Sequence, residues 1–171
     1  LEVDYRLKTK NGGSLSVSAT AFQGNDSMGA LLAWRGWSYG NHLSLSGETL
    51  PLANWYALRD DSVFSSQKNS GTQPFGQDLD GKVGHSTRVS WQNGDGLLLK
   101  FQWVDNNGDR KLYRGEYAWD TKFFLGGFRY DFSSDLRVLG EFMSGSSGMG
   151  GMYQQVDIDF QSAYVIVSQT N

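Results

Sequence analysis

Several short patterns in this chain could carry chemistry. Gly36-Trp37-Ser38-Tyr39-Gly40 reads as G-x-S-x-G. In that elbow a sharp strand-to-helix turn exposes a serine nucleophile, and an acid and then a histidine follow along the chain. Asp60, Asp61, Asp78 or Asp80, followed by His85, would satisfy the order. Asp105, Asn107, Asp109 and Glu116 stand at positions 1, 3, 5 and 12 of a calcium-loop spacing. Gln77-Asp78-Leu79-Asp80-Gly81 is a weaker version of the same idea. A third set is ionic: Arg6, Lys8, Arg35, Arg88, Lys100, Arg114, Arg129 and Arg137, with Glu116 and Glu141, mostly on the polar beat of alternating runs.

The first two patterns lack their surroundings. No α/β alternation frames Ser38, and no helix clearly follows it, so a strand end with flanking aromatics is the plainer reading. The calcium loop needs a glycine at its sixth position for the sharp turn, and Arg110 stands there. The histidines are His42 and His85, without H-x-x-x-H spacing, and the chain has no cysteine. Thiolate metal sites and disulfides are therefore excluded. We expect no metal, no cofactor and no enzymatic activity. A serine hydrolase using Ser38 stays as an alternative.

The elements that would position the ionic set have a period of two. Leu1, Val3, Tyr5 and Leu7 alternate with Glu2, Asp4, Arg6 and Lys8. Leu15, Val17, Ala19 and Ala21 alternate with serines and Thr20 after a turn at Asn11-Gly12-Gly13. A third strand is expected over 28–38. Residues 39–84 are rich in Ser, Gly, Asn and Asp and hold both prolines, which predicts one long loop with a short helix near 53–58. Further strands are expected over 86–91, 97–103, 111–119, 122–132 and 136–144. A Gly-rich loop at 145–151 then precedes a last strand at 154–169. That is about nine strands in one domain spanning 1–171.

Composition permits a membrane protein of the strand type. The chain has 171 residues, 22 Gly, 14% aromatics and a net charge of −3. Mean hydropathy is −0.46 and the pI is about 5.3, which excludes a strongly basic nucleic-acid binder. A transmembrane strand keeps low average hydropathy because it alternates. The chain begins at Leu1, shows no signal peptide and ends at Thr170-Asn171 where a turn would start. We therefore expect a piece of a larger barrel.

Two folds fit alternation: a soluble sandwich with its apolar face inward, and a barrel with that face toward lipid. On the apolar beat stand Val89, Trp91, Phe101, Trp103, Phe124, Phe128, Phe142, Val156, Ile158, Phe160, Tyr164 and Ile166, without a charge. The opposite beat carries Arg88, Lys100, Arg129, Asp131, Arg137, Glu141, Asp157 and Asp159. Trp34, Trp37, Trp91, Trp103, Trp119, Tyr130 and Phe132 fall toward strand ends, where a membrane interface would hold them. The pattern favours the barrel.

Ala30-Leu31-Leu32-Ala33-Trp34-Arg35-Gly36-Trp37-Ser38, Gly115-Glu116-Tyr117-Ala118-Trp119, and Gly148-Met149-Gly150 with Val156-Asp157-Ile158-Asp159-Phe160 together resemble a family of uncharacterised proteobacterial porin-like outer-membrane proteins. The resemblance covers most of the chain. It implies a location in the outer membrane of a Gram-negative bacterium and transfers no catalytic residue.

The expected fold is thus all-β: part of an antiparallel up-and-down transmembrane β-barrel with one long loop. The expected function is a porin-like channel for passive diffusion of small hydrophilic solutes or ions. Arg6, Lys8, Arg35, Arg88, Lys100, Arg114, Glu116, Arg129, Arg137 and Glu141 would line the pore. Asp60, Asp61, Asp78 and Asp80 would form a constriction from the long loop. The partners expected are outer-membrane lipid and the solutes, with no nucleic acid, and the reading admits a homotrimer. A soluble β-sandwich carbohydrate-binding module, stacking sugars on Trp55 and Tyr56, is the other alternative.

Overall fold

A computed structural model describes residues 1–10, 12–24, 26–36, 48–73 and 78–169. Seven strands form one antiparallel sheet: β1 (Glu2–Lys8), β2 (Ser14–Phe22), β3 (Gly84–Gln92), β4 (Leu97–Asp105), β7 (Asp120–Asp131), β8 (Leu136–Gly151) and β9 (Gln154–Gln169). Strands of the sheet pair with their chain neighbours, in the order β1-β2-β3-β4-β7-β8-β9. A separate two-stranded hairpin, β5 (Leu112–Tyr113) with β6 (Glu116–Tyr117), lies in the β4–β7 connection. The fold is all-β and up-and-down. Among the described residues β1 and β9 are the two open edges.

The connections differ at the two ends of the sheet. One end has a Thr9 N–H bonded to the Gly13 carbonyl at 2.9 Å, a tight turn at 93–96 and another at 132–135. At the first of these two turns, the Asn93 side chain accepts from the backbone N–H of Asp95 and of Leu97, which closes the turn. The other end carries the long connection 23–83, the connection 106–119 and the two-residue hairpin 152–153.

Three sequence expectations change. In place of the strand expected over 28–38, Met28–Arg35 is a helix, α1, and residues 37 and 38 lie outside the described residues. Met, Ala and Leu fill it, all strong helix formers, and no β-branched residue interrupts it. Gly36 ends it in the left-handed region (φ 54°), its N–H donating to the Leu32 carbonyl at 3.0 Å. Residues 111–119 hold only the short β5–β6 hairpin. The Gly-rich stretch 145–151 is not a loop but the second half of β8. Glycine is needed there for close approach: a Cβ on Gly145 would collide with the Lys122 carbonyl and with Phe123 across the β7 pairing.

In its described residues the long connection is folded. It carries α1, a 3₁₀ turn at Tyr56–Leu58, a second helix α2 (Ser65–Ser70), and a bridge pairing Leu50 with Thr72. Its apolar residues Ala30, Leu52, Leu58 and Phe64 pack with Tyr117, Trp119 and Met149 into the protein's buried cluster. Trp119 is 0% exposed. Its ring meets Trp34 edge-on at 6.2 Å, and Phe64 meets Tyr117 at 6.3 Å. Gly29 lies so close to Trp119 and Ser147 that any Cβ would collide with them. Trp34 and Trp119 are therefore core residues rather than interfacial ones, and Trp37 lies outside the described residues.

Candidate functional site

The register assigns every strand residue to one of two faces. On the first, successive rows across the sheet read Val17–Val89–Phe101–Gly126–Phe142–Ala163, then Leu15–Trp91–Leu99–Phe128–Gly140–Val165. A row toward the tight turns pairs Leu97, Tyr130, Val138 and Val167. A row toward the long loops runs Ala19–Thr87–Trp103–Phe124–Ser144–Gln161. These four rows hold no charge. At about 3.3 Å per residue they span roughly 20 Å along the strands.

This apolar band is bare. Phe101 is 61% exposed and Val165 66%, and Val3, Tyr5, Leu7, Trp91, Trp103, Phe124, Phe128 and Phe142 are exposed with them. Among the described residues no second sheet covers it, which departs from the sandwich alternative. The charges of this face stand in the two rows nearest the long loops. Asp105, Lys122 and Asp159 share one row, and Asp120 and Asp157 the next. Lys122 pairs there with Asp120 (3.3 Å) and Asp105 (3.6 Å), and Arg110 reaches Asp157 at 2.6 Å.

The second face is polar over β1–β4. One row reads Arg6–Ser16–Ser90–Lys100–Gly127–Glu141–Tyr164, and the next toward the long loops reads Asp4–Ser18–Arg88–Gln102–Leu125–Met143–Ser162. Lys8 and Arg129 share the row on the other side, and Asp131 faces Arg137 beyond it. Seven of the ten proposed lining residues thus lie together on one face: Arg6, Lys8, Arg88, Lys100, Arg129, Arg137 and Glu141. Arg88 lies 3.6 Å from Glu2, and its guanidinium donates to Ser18 Oγ at 3.3 Å. The Ser18 hydroxyl donates in turn to Asp4. Asp131 receives both Arg129 (3.4 Å) and Arg137.

The other three do not join them. Arg35 ends α1, and its guanidinium donates to the Pro51 carbonyl at 2.5 Å. Arg114 is exposed in the β5–β6 turn in a left-handed conformation, with φ 52°. Glu116 is half-buried in β6, where burial pushes its carboxyl above the usual range. All three were assigned to sheet strands that the structure replaces with a helix and a loop hairpin.

The long connection meets the sheet on the polar side. Thr121 and Ser147 are on that face and share a hydroxyl contact at 2.6 Å, and α1 packs over Ser147 at Gly29. Val156 and Ile158 of β9 adjoin the same cluster. This corrects the parity expected for β9. Val156, Ile158, Phe160, Tyr164 and Ile166 fall on the polar face, while Asp157 and Asp159 fall on the apolar face at its charged margin. Two causes combine. The strand 145–151 was read as loop, so the β8–β9 register was lost. Residues 163–167 are also apolar on both beats, so alternation cannot orient them.

The four loop acids divide. Asp60 is exposed beside the 3₁₀ turn, 3.5 Å from Lys68, and Asp61 is exposed next to it. Asp78 and Asp80 instead meet Asp26, with one carboxylate oxygen from each within 4.8 Å of the others. Their oxygens already hold backbone: Asp26 accepts from Leu79 N–H (2.5 Å), Asp78 from Gly81 (2.8 Å), and Asp80 from Lys82 and Asp109 (2.8 Å each). Burial, with Asp80 and Asp78 nearby, pushes the Asp26 carboxyl up. The sequence separation from 26 to 78 hid this group.

The calcium-loop residues are likewise committed elsewhere. Asp105 accepts from Asn107 N–H at 2.8 Å, and Asp109 accepts from Lys111 N–H and from the Tyr113 hydroxyl at 2.6 Å. Burial alone would raise Asp109, but these bonds hold it below the usual carboxylate range. The same hydrogen bond pushes Tyr113 up to about 12. Ser38 and His42 lie outside the described residues. His85 is the second residue of β3, opposite Asp105 in the charged row of the apolar face. Trp55 and Tyr56 are exposed, with Arg59 5.0 Å above the Tyr56 ring. No family model, no curated protein and no solved structure matches this chain.

Proposed function

We propose that this chain forms wall of an outer-membrane β-barrel that passes small hydrophilic solutes or ions. One observation carries the reading: a charge-free apolar band, exposed across all seven strands, with the chain's own folded connection packed on the opposite, polar face. A soluble domain rarely leaves so broad an apolar surface to water, and it would turn its own packing elements onto that side. In lipid the band is the outside. A height of roughly 20 Å approaches the apolar belt of about 25 Å that such barrels present.

Other features agree. The sheet is a meander of antiparallel neighbours, with three short connections at one end and, beside the hairpin at 152–153, two long ones at the other, an asymmetry in keeping with outer-membrane barrels. Trp103 with Phe124, and Tyr130 with Phe132, stand at the two margins of the band, where an amphipathic ring is most favourable. In lipid, unpaired edges on β1 and β9 would be costly, so this reading requires further strands that close the wall. The porin-like resemblance points the same way. The chemistry needs no cofactor and no catalytic residue: a wet, charged lumen lets polar solutes through.

Electrophoresis of the full-length protein, extracted from membranes in detergent, tests the proposal. A closed barrel migrates faster unboiled than boiled, and the same preparation then gives stepwise conductance in a planar bilayer. A protein found in the soluble fraction with no heat-dependent shift would sink it.

A further inference from the structure

Resting on that pore reading, we infer that the polar face of β1–β4 forms a path for small anions. A cavity of about 560 Å³ opens on this face, lined by Arg6, Arg88 and Lys100 against the single carboxylate of Asp4. The floor between the cations is hydroxyl, with Ser16 and Ser90 on the central strands.

The charges in this cavity are not equivalent. In the row nearer the long loops, Arg88 is offset by Glu2, and Asp4 is held by the Ser18 hydroxyl. The next row carries Arg6 and Lys100 on the outer two of four adjacent strands, with a serine on each strand between them. At about 4.8 Å per strand their backbones are roughly 14 Å apart, so two long side chains can converge above the short serines. Arg6 Nε donates to Ser16 Oγ at 3.1 Å, leaving its other N–H groups toward the cavity, and Lys100 has no acidic partner among the described residues. Glu141 is the one carboxylate of that row. Two strands beyond Lys100, its carboxylate lies over Gly127 and lines a smaller pocket together with Lys100 and Arg129, so it partly offsets Lys100.

Three cations against one carboxylate over a floor of hydroxyl groups leave the cavity an excess of positive charge, which favours anions along a narrow wet wall, because a ring or ladder of one sign sets the ion preference of a pore. The neighbouring Arg–Glu network contributes hydrogen bonds without reversing the sign.

The experiment is the reversal potential of the full-length protein in a planar bilayer under a KCl gradient. The expected result is a several-fold preference for chloride over potassium, with chloride current reduced by added inorganic phosphate. The Arg6→Glu/Lys100→Glu double variant should invert the preference. Lys100→Gln should move it partway in the same direction, and Glu141→Gln should strengthen the anion preference. A wild-type pore that prefers potassium, or variants that conduct with an unshifted potential, would overturn the inference and leave the pore intact. Absence of both conductance and the heat-dependent gel shift would instead overturn the pore reading on which the inference rests.

Discussion

The two faces of the sheet use apolar residues for opposite ends. On one, Phe101, Phe128, Phe142 and Val165 stand exposed in open rows, with Phe142 meeting the Phe124 ring at 5.5 Å. On the other, Trp119, Met149, Val156 and Ile158 are covered by a connection that folds back to bury them. Among the described residues the large buried cluster thus lies on the face whose other half is Ser, Arg and Lys. Position, not composition, decides which apolar residues pack internally. The difference is what the barrel proposal rests on: among the described residues the bare face has no protein cover, and the connection packs against one end of the other face.

If the two regions are separable, breaking the buried cluster should loosen the connection and spare the sheet. Trp119→Ala removes a fully buried ring from between Trp34, Ala30 and Met149, a change that costs about 3–5 kcal/mol in well-packed sites. The expected outcome is rapid proteolytic cleavage between 36 and 83 with unchanged β-sheet circular dichroism and an unchanged heat-dependent gel shift. Loss of the sheet signal together with the loop would mean that the cluster is the core of the whole fold, and the comparison would fail.

A charge placed on each face sharpens the contrast. Phe101 and Gln102 are chain neighbours in the middle of β4 that point to opposite sides. Against lipid, Phe101→Arg should cost about 2–4 kcal/mol, read as a lower denaturant midpoint for the detergent-folded or vesicle-folded protein. Gln102→Arg gives up one hydrogen bond to Ser86 Oγ (2.9 Å), for which about 1 kcal/mol is expected. Equal tolerance of both changes would mean that the two faces meet the same solvent.

Much of this contrast is legible in the sequence, and the reason is physical. Where one beat of a strand is apolar and the other charged, as in Glu2–Lys8, alternation fixes both strand and face, and seven of the ten ionic residues expected on one face lie there. Legibility ends where a rule is degenerate. The α1 segment is apolar at nearly every position, so its period is ambiguous; its Ala-Leu-Leu-Ala composition and terminal Gly36 carried the helix signal. Residues 145–151 look like a loop because glycine has no β preference, whereas tight cross-strand contact at Gly145 demands it. Once that half-strand is misread, the parity of β9 cannot be recovered. The meeting of Asp26 with Asp78 and Asp80 depends on how the connection folds, which no local pattern encodes.

The smallest effect probes the connection alone. Asp26 has a folded-state pKa raised above its ordinary value by burial and by the nearby Asp80 and Asp78 carboxylates. The folded connection therefore holds that proton more tightly than the unfolded one. The stabilising contribution is complete below about 3.8 and is lost as pH rises from there through the raised folded value. Asn at this position keeps an oxygen for the Leu79 N–H and cannot ionise. Asp26→Asn should thus resist proteolysis of the connection better than the wild type at neutral pH and match it in acid. Glu116, raised by burial, leaves a slope of the same sign in both proteins, and Asp109, held low by Tyr113 and Lys111, adds one of opposite sign at lower pH. The difference between the two proteins isolates Asp26. Identical pH profiles would mean that the three carboxylates do not meet in the folded connection, while any change in the gel shift of the barrel would show that the connection and the wall are coupled after all.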